Sequence, residues 1–284
     1  MRVLEDNVPK FYDYIADREA SRLARDSYHM LEYEITMHYL AKYLPPGGHL
    51  LDIGGGSGRY CVGLAKKGYR VTLADISEKL LSIARAEFEK AGIEHRVMGI
   101  YAADARDLAM FEDETFDGVL ALGPIYHIVE EKDRSQAMNE IVRVTREGSP
   151  VFISGISLFG VYKKLLISPR YEHEFTDEDY VEMLEKGAHR AKWHQDPSAF
   201  PDAWFCTPRQ LRELAEDHGL ETLDMAACEG LSSHQKEATE RLRKNKEAWK
   251  VWMDLLIRTS NEPSIIGSSE HILYIGQKKT PDPF

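Results

Sequence analysis

Apolar and polar positions along this chain alternate between short hydrophobic runs and longer stretches of helical spacing, the order expected of repeated βαβ units. Ahead of residue 45 the pattern is helical. It predicts helices from Tyr14 to Arg25 and from Tyr28 to Tyr43, the second with Leu31, Ile35, Tyr39 and Leu40 on one side. Pro45-Pro46-Gly47-Gly48 breaks that run before a first strand ending at Ile53. A second strand is expected in Gly68–Asp75. The central one lies in the apolar run after Asp117, and Gly123-Pro124 turns the chain off the sheet. Lys132 to Glu147 reads as a helix with Met138, Ile141 and Val142 inward and Gly148 as its stop. Val151–Ile156 reads as the fifth strand.

The alternation is then interrupted. Residues from about 158 to 205 carry a helical segment near Tyr162 to Ile167, another starting at Thr176, and a polar, aromatic loop from His189 to Trp204. The regular pattern resumes at Thr207-Pro208-Arg209-Gln210, with Thr as N-cap, Pro in the first turn and Gln three residues after the cap. Leu211, Leu214 and Ala215 form the buried stripe of that helix, and Gly219 ends it. A sixth strand is expected at Glu221 to Cys228, a helical insertion from Gln235 to Thr259, and a last strand at His271 to Gly276. The fold class expected is α/β: a Rossmann-like, doubly wound, mostly parallel seven-stranded sheet with helical lid insertions. Its parts are a helical cap over 1–44, a ligand-binding core over 45–157, a lid or substrate insertion over 158–205, and core completion over 206–284 with an insertion at about 232–262.

The chemistry concentrates where the first strand ends. Leu50-Leu51-Asp52-Ile53-Gly54-Gly55-Gly56-Ser57-Gly58-Arg59 is a buried strand running into a loop of glycines, with a helix starting behind it. Such a unit cradles a nucleotide-like ligand, because a Cβ there would block both the tight turn and the ligand's approach. The dinucleotide spacing G-x-G-x-x-G does not fit: from Gly54 the third glycine position holds Arg59, and from Gly56 it holds Cys61. Asp75 ends the second strand about twenty residues beyond the loop, the spacing of an acid that accepts from two ribose hydroxyls. Asp75 could instead merely open the next helix, but Ser77 is better placed as that N-cap.

The order Asp52-x-Gly54-x-Gly56-x-Gly58 resembles motif I of class I S-adenosylmethionine (SAM)-dependent methyltransferases, and further elements follow in register from about Phe11 to Ile275. The resemblance implies SAM as cofactor and S-adenosylhomocysteine (SAH) as its product. It places Asp52, Gly54, Gly55, Gly56 and Gly58 against the methionine part, Asp75 on the ribose and Ile76 on the adenine. Asp104, beside Ala105, stands where the family's acid meets the adenine amino group, with Asp107 as a competitor. Leu122 belongs to the same cofactor set, and an N-terminal tyrosine, here Tyr12, often covers the cofactor. The fourth element, Gly123-Pro124-Ile125-Tyr126-His127-Ile128, resembles a group of prokaryotic small-molecule enzymes. It has neither the Asn/Asp-Pro-Pro-Tyr signature of exocyclic-amine methylation nor a Pro-Cys nucleophile.

Tyr126 and His127 follow the central strand, so they should face the cleft near the transferable methyl. His127 suits a general base and Tyr126 an orienting role, whereas the plainer alternatives are a pocket-shaping neutral imidazole and simple packing. His173, Glu174, Trp193, His194 and Trp204 are candidate lid residues, and Phe11, Tyr12 and Tyr14 candidate covers. Composition narrows the partners. A formal net charge of −11 weighs against a nucleic-acid substrate. The basic stretch Lys236–Lys250 is interleaved with Glu237, Glu240 and Glu247, as on a solvated helix face. Three scattered cysteines offer neither disulfide framework nor metal-ligand spacing, so no metal is expected. The absence of a leader or a spanning apolar run fits a cytoplasmic protein without a membrane partner. The expected partner is a small-molecule acceptor methylated at O or N, with a homodimer allowed. The alternatives are a protein or tRNA methyltransferase, or a non-catalytic SAM-binding module.

Overall fold

The computed structural model describes residues 7–167, 178–190 and 200–280. The chain begins with α1 (Asn7–Ala20) and α2 (Ser27–Tyr43), then enters the sheet through β1 (His49–Ile53), α3 (Arg59–Ala65), β2 (Arg70–Asp75), α4 (Glu78–Ala91) and β3 (Val97–Ala102). It continues through β4 (Gly118–Ala121), α5 (Glu131–Val144), β5 (Pro150–Ser157), α6 (Leu158–Ile167) and α7 (Glu178–Lys186). After the short strands β6 (Ala188–His189) and β7 (Ala203–Cys206) come α8 (Pro208–Asp217) and β8 (Leu220–Ala227). The helices α9 (Lys236–Arg243), α10 (Lys246–Thr259) and α11 (Pro263–Ile266) precede β9 (His271–Lys278).

Five strands run parallel in the order β3-β2-β1-β4-β5, and β9 pairs antiparallel with both β5 and β8. Strand periodicity distributes the core between two faces. Leu50, Leu120 and Phe152 pack in one cluster with Leu31 and Ile35 of α2, Leu64 of α3 and Phe88 of α4. Their neighbours Leu51, Val119 and Ile153 pack with Met138 and Ile141 of α5 and Leu211 of α8. Runs apolar on both faces are what a parallel sheet covered on both sides requires.

Among the described residues the sheet has nine strands rather than seven. The region expected as a loop from His189 to Trp204 contributes parts of β6 and β7. β7 pairs with the end of β5 through Ile156↔Phe205 and Ser157↔Cys206, past the last partner β4 supplies. The unsatisfied edge of β5, a tertiary feature, recruits these residues. The first helix also starts earlier than its periodicity suggests and stops at Ala20. A short 3-10 turn, Arg22–Ala24, follows, and Arg22 donates to Glu32 of α2. The C-terminal insertion is two helices, because Asn245 accepts from the Ala248 amide and caps α10 separately. Thr207 and Gln210 form the reciprocal capping box expected at α8. No helix among the described residues is long and apolar enough to cross a membrane.

Candidate active site

A cavity of about 270 Å³ opens at the carboxyl ends of β1, β2 and β4, beneath α1. Ligands of open α/β sheets bind at this edge. Gly54 enters the loop at φ +70°, and a Cβ on it would lie 2.7 Å from Pro124 Cδ, so only glycine lets the loop pack against the turn after β4. Gly54, Gly55 and Gly56 line the cavity, but Gly58 is not among the lining residues. Gly58 sits at φ +76° at the start of α3, where a Cβ would be 2.4 Å from Phe88 Cε1; its requirement is helix packing.

Asp75 is buried at the end of β2. Its Oδ2 accepts from the Gly56 amide at 2.8 Å and its Oδ1 from the Ser77 amide at 2.8 Å. Burial raises its pKa while those amides oppose the rise. Four lone pairs minus two bonds leave acceptor capacity facing the cavity. Ser77 caps α4 through Leu80, and its hydroxyl donates to Asp13 of α1 at 2.5 Å. The loop, the acid and the covering helix are thereby joined. Ile76, Ala105 and Leu122 line the same cavity. So does Asp52, which accepts from the Cys61 thiol at 3.4 Å and is pushed up to about 7 by burial. Of the two competing acids after β3, Asp104 lines the cavity and is gripped by Arg106, while Asp107 is exposed and outside it.

His127 and Tyr126 lie in a 3-10 turn, Ile125–His127, and both line the cavity together with Tyr12. His127 Nδ1 is 3.0 Å from the Asp202 carbonyl oxygen, which can only accept, so Nδ1 carries the proton. Nε2 is then an acceptor and takes the Tyr12 hydroxyl at 2.7 Å. Burial pulls His127 down to about 4, so the ring is neutral near pH 7. Burial pushes the Tyr12 phenol well above its ordinary value, with Tyr126 adding to the rise.

A buried charge network with no linear signature forms the far wall. Glu32 lines the cavity and pairs with Arg22; His271 Nδ1 donates to Glu229 Oε1 at 2.7 Å and lies 3.8 Å from Glu32. Glu229 also accepts from Ser269 Oγ and the His271 amide. One signal was available: Glu32 stands one residue after Leu31 and four after Tyr28, on the buried stripe of α2. Burial alone would lower His271, but Glu32 and Glu229 lift it to about 9. A raised folded value means that its stabilisation is complete below about 6.5 and is lost as pH rises through about 9. Between these limits the melting temperature should fall on the order of 5 °C more in the native chain than in His271→Gln. Identical pH profiles of the two proteins by calorimetry would remove this assignment.

Of the remaining sequence candidates, His173, Glu174, Trp193 and His194 lie outside the described residues. Trp204 is not a cleft residue. It is 6% exposed on β7, in the core beneath Arg134, whose guanidinium stands 4.1 Å from the ring centroid. Phe11 is buried against Tyr12 and Phe200, and Tyr14 is exposed.

Residues 51–153 match the family described as a methyltransferase domain. The chain is 36% identical over 115 residues to the methyltransferase GfsG of Streptomyces halstedii, covering 40% of each. It is 32% identical over 126 residues to an O-methyltransferase of Pyrenophora dematioidea, covering 44% of this chain and 45% of that protein. With a ubiquinone biosynthesis O-methyltransferase of Xylella fastidiosa it shares 24% over 162 residues, 56% of this chain and 59% of the relative. The chain thus spans about half the length of these relatives, between 40% and 59%. Among solved structures, a SAM-dependent methyltransferase of Methanosarcina mazei superposes with a TM-score of 0.58 at 21% identity, covering 85% of this chain and 97% of that one. The [4+2]-cyclase SpnF does so at 0.61 and 17%, covering 97% and 96%. The fold therefore accommodates proteins named for different reactions. The glycine loop beside a buried acid with spare acceptor capacity suits a ribose-bearing cofactor. Residues 51–153 thus match a methyltransferase-domain family, and the chain has the Rossmann-like α/β fold seen in solved S-adenosylmethionine-dependent methyltransferases.

Proposed function

We propose that this protein methylates an oxygen or nitrogen of a small molecule at the Tyr12–His127 end of the cleft. The observation that carries the reading is the Tyr12–His127 pair in the same cavity as the glycine loop and Asp75. Asp75 would hold the ribose, Asp104 and Ile76 the adenine, and Asp52 with Gly54–Gly56 the methionine end; the Tyr12 ring would cover them. Bound there, the cofactor supplies an electrophilic methyl on a sulfonium. A hydroxyl must lose its proton as its new bond to carbon forms, and an ammonium must lose one before its nitrogen can attack. The neutral His127 Nε2 can receive that proton as the acceptor's proton moves onto Tyr12 and Tyr12's own passes on. Asp202 then holds the imidazolium through Nδ1. Tyr126 shapes the wall behind this pair. Relatives named as O-methyltransferases favour oxygen, and the net charge of −11 favours a small acceptor over a nucleic acid.

Calorimetry of the full chain against SAM, SAH and NADH tests the reading. Micromolar binding of the two sulfur nucleosides alone, followed by acceptor-dependent release of SAH, is the expected result. NADH binding in their place would overturn it.

A further inference from the structure

A second cavity, of about 180 Å³, lies across the Phe200 ring from His127, the two rings being 5.5 Å apart. Its walls are mainly apolar, with Ile156 from β5, Val161 and Leu165 from α6, Met183 from α7 and Phe205 from β7, and Lys164 and His189 also line it. The Phe200 and Phe205 rings are nearly parallel, at 23° and 6.4 Å. One end is polar. Glu270 and His271 line it, with side chains 25% and 19% exposed. Glu270 Oε1 already faces both Tyr28 Oη and His234 Nδ1, and His271 Nδ1 is committed to Glu229. Glu270 Oε2 and His271 Nε2 make no hydrogen bond among the described residues, so one acceptor and one donor remain at that end.

We propose that this cavity is the acceptor subsite, taking a single hydroxyaromatic ring along Phe205 with one hydroxyl against His271 and Glu270. The inference rests on the methyltransferase reading of the neighbouring cleft. Size sets the ring count, since a dry cavity of about 150 Å³ takes up benzene. The polar end sets the substituent. A hydroxyl both accepts from His271 and donates to Glu270, whereas a carboxylate would meet Glu270's charge and an ammonium His271's. The reacting substituent is then a second polar group, reaching past Phe200 toward Tyr12. Phe200 is thereby a specificity residue, and the charge network behind Glu32 separates the anchoring end of the acceptor from the cofactor.

The test is binding of catechol to the SAH-loaded full chain by ligand-detected NMR, with toluene as comparison. Catechol should bind saturably and at least about tenfold more tightly than toluene. Val161→Trp fills the cavity and should weaken catechol at least about tenfold while SAH affinity is unchanged. Glu270→Gln, which keeps the shape of the pair with Tyr28, should weaken it several-fold. Equal catechol binding by the native chain and Val161→Trp overturns the inference, as does no binding at all by a chain that takes up SAH. Equal affinity for toluene overturns the hydroxyl assignment. Catechol uptake by a chain that does not bind SAH refutes the methyltransferase reading instead.

Discussion

Asp75→Ala should raise the dissociation constant for SAH by about 10- to 150-fold, because a hydrogen bond to a charged group contributes roughly 1.5–3 kcal/mol. The structure adds a second effect. The carboxylate also accepts the Gly56 and Ser77 amides, so truncation leaves two backbone donors without partners in a buried site. An unsatisfied buried donor costs about 1–3 kcal/mol. For a chain of this size that is a drop of about 2–4 °C in melting temperature per kcal/mol. Asp75→Asn should fall between, since its amide keeps one oxygen acceptor and places a donor beside an N–H. The raised pKa of Asp75 gives the pH dependence its sign: the ionised form binds the diol, so SAH affinity declines as pH falls. Unchanged SAH affinity in Asp75→Ala, measured by calorimetry on protein with an intact thermal transition, would remove the ribose assignment.

What could be read from the chain depended on how far apart the interacting residues lie. The glycine loop, Asp75 and the Thr207 capping box are local patterns whose physics is complete within a few residues, and each sits on the element expected. The sheet followed from apolar runs for the same reason. Partnerships across the chain left no local trace. Tyr12 meets His127 over 115 residues, and β7 adds to the sheet because β5 extends beyond β4. Asp104's tie to Arg106 is short in sequence but hidden, since two acids, Asp104 and Asp107, suit the same turn. Gly58 shows the opposite effect: the motif includes it, yet its demand comes from Phe88.

His127→Gln should lower turnover by about 10²- to 10⁴-fold, the usual contribution of a positioned acid–base group. SAH affinity should stay within about threefold, because the glycine loop and Asp75 do not contact this ring. Glutamine can still accept from Tyr12, so the comparison isolates proton uptake from shape. A base held down at about 4 is neutral across physiological pH, and the native rate should therefore be level from neutrality down to about pH 5, declining below as the ring protonates. Tyr12→Phe tests the relay itself. If the acceptor's proton reaches Nε2 through the Tyr12 oxygen, the double variant Tyr12→Phe/His127→Gln is no slower than His127→Gln alone, as for residues that act as one unit. Losses that multiply would make Tyr12 an independent cover over the cofactor. Full turnover in His127→Gln would leave His127 only to fix the Tyr12 ring, and the acceptor would have to lose its proton to solvent.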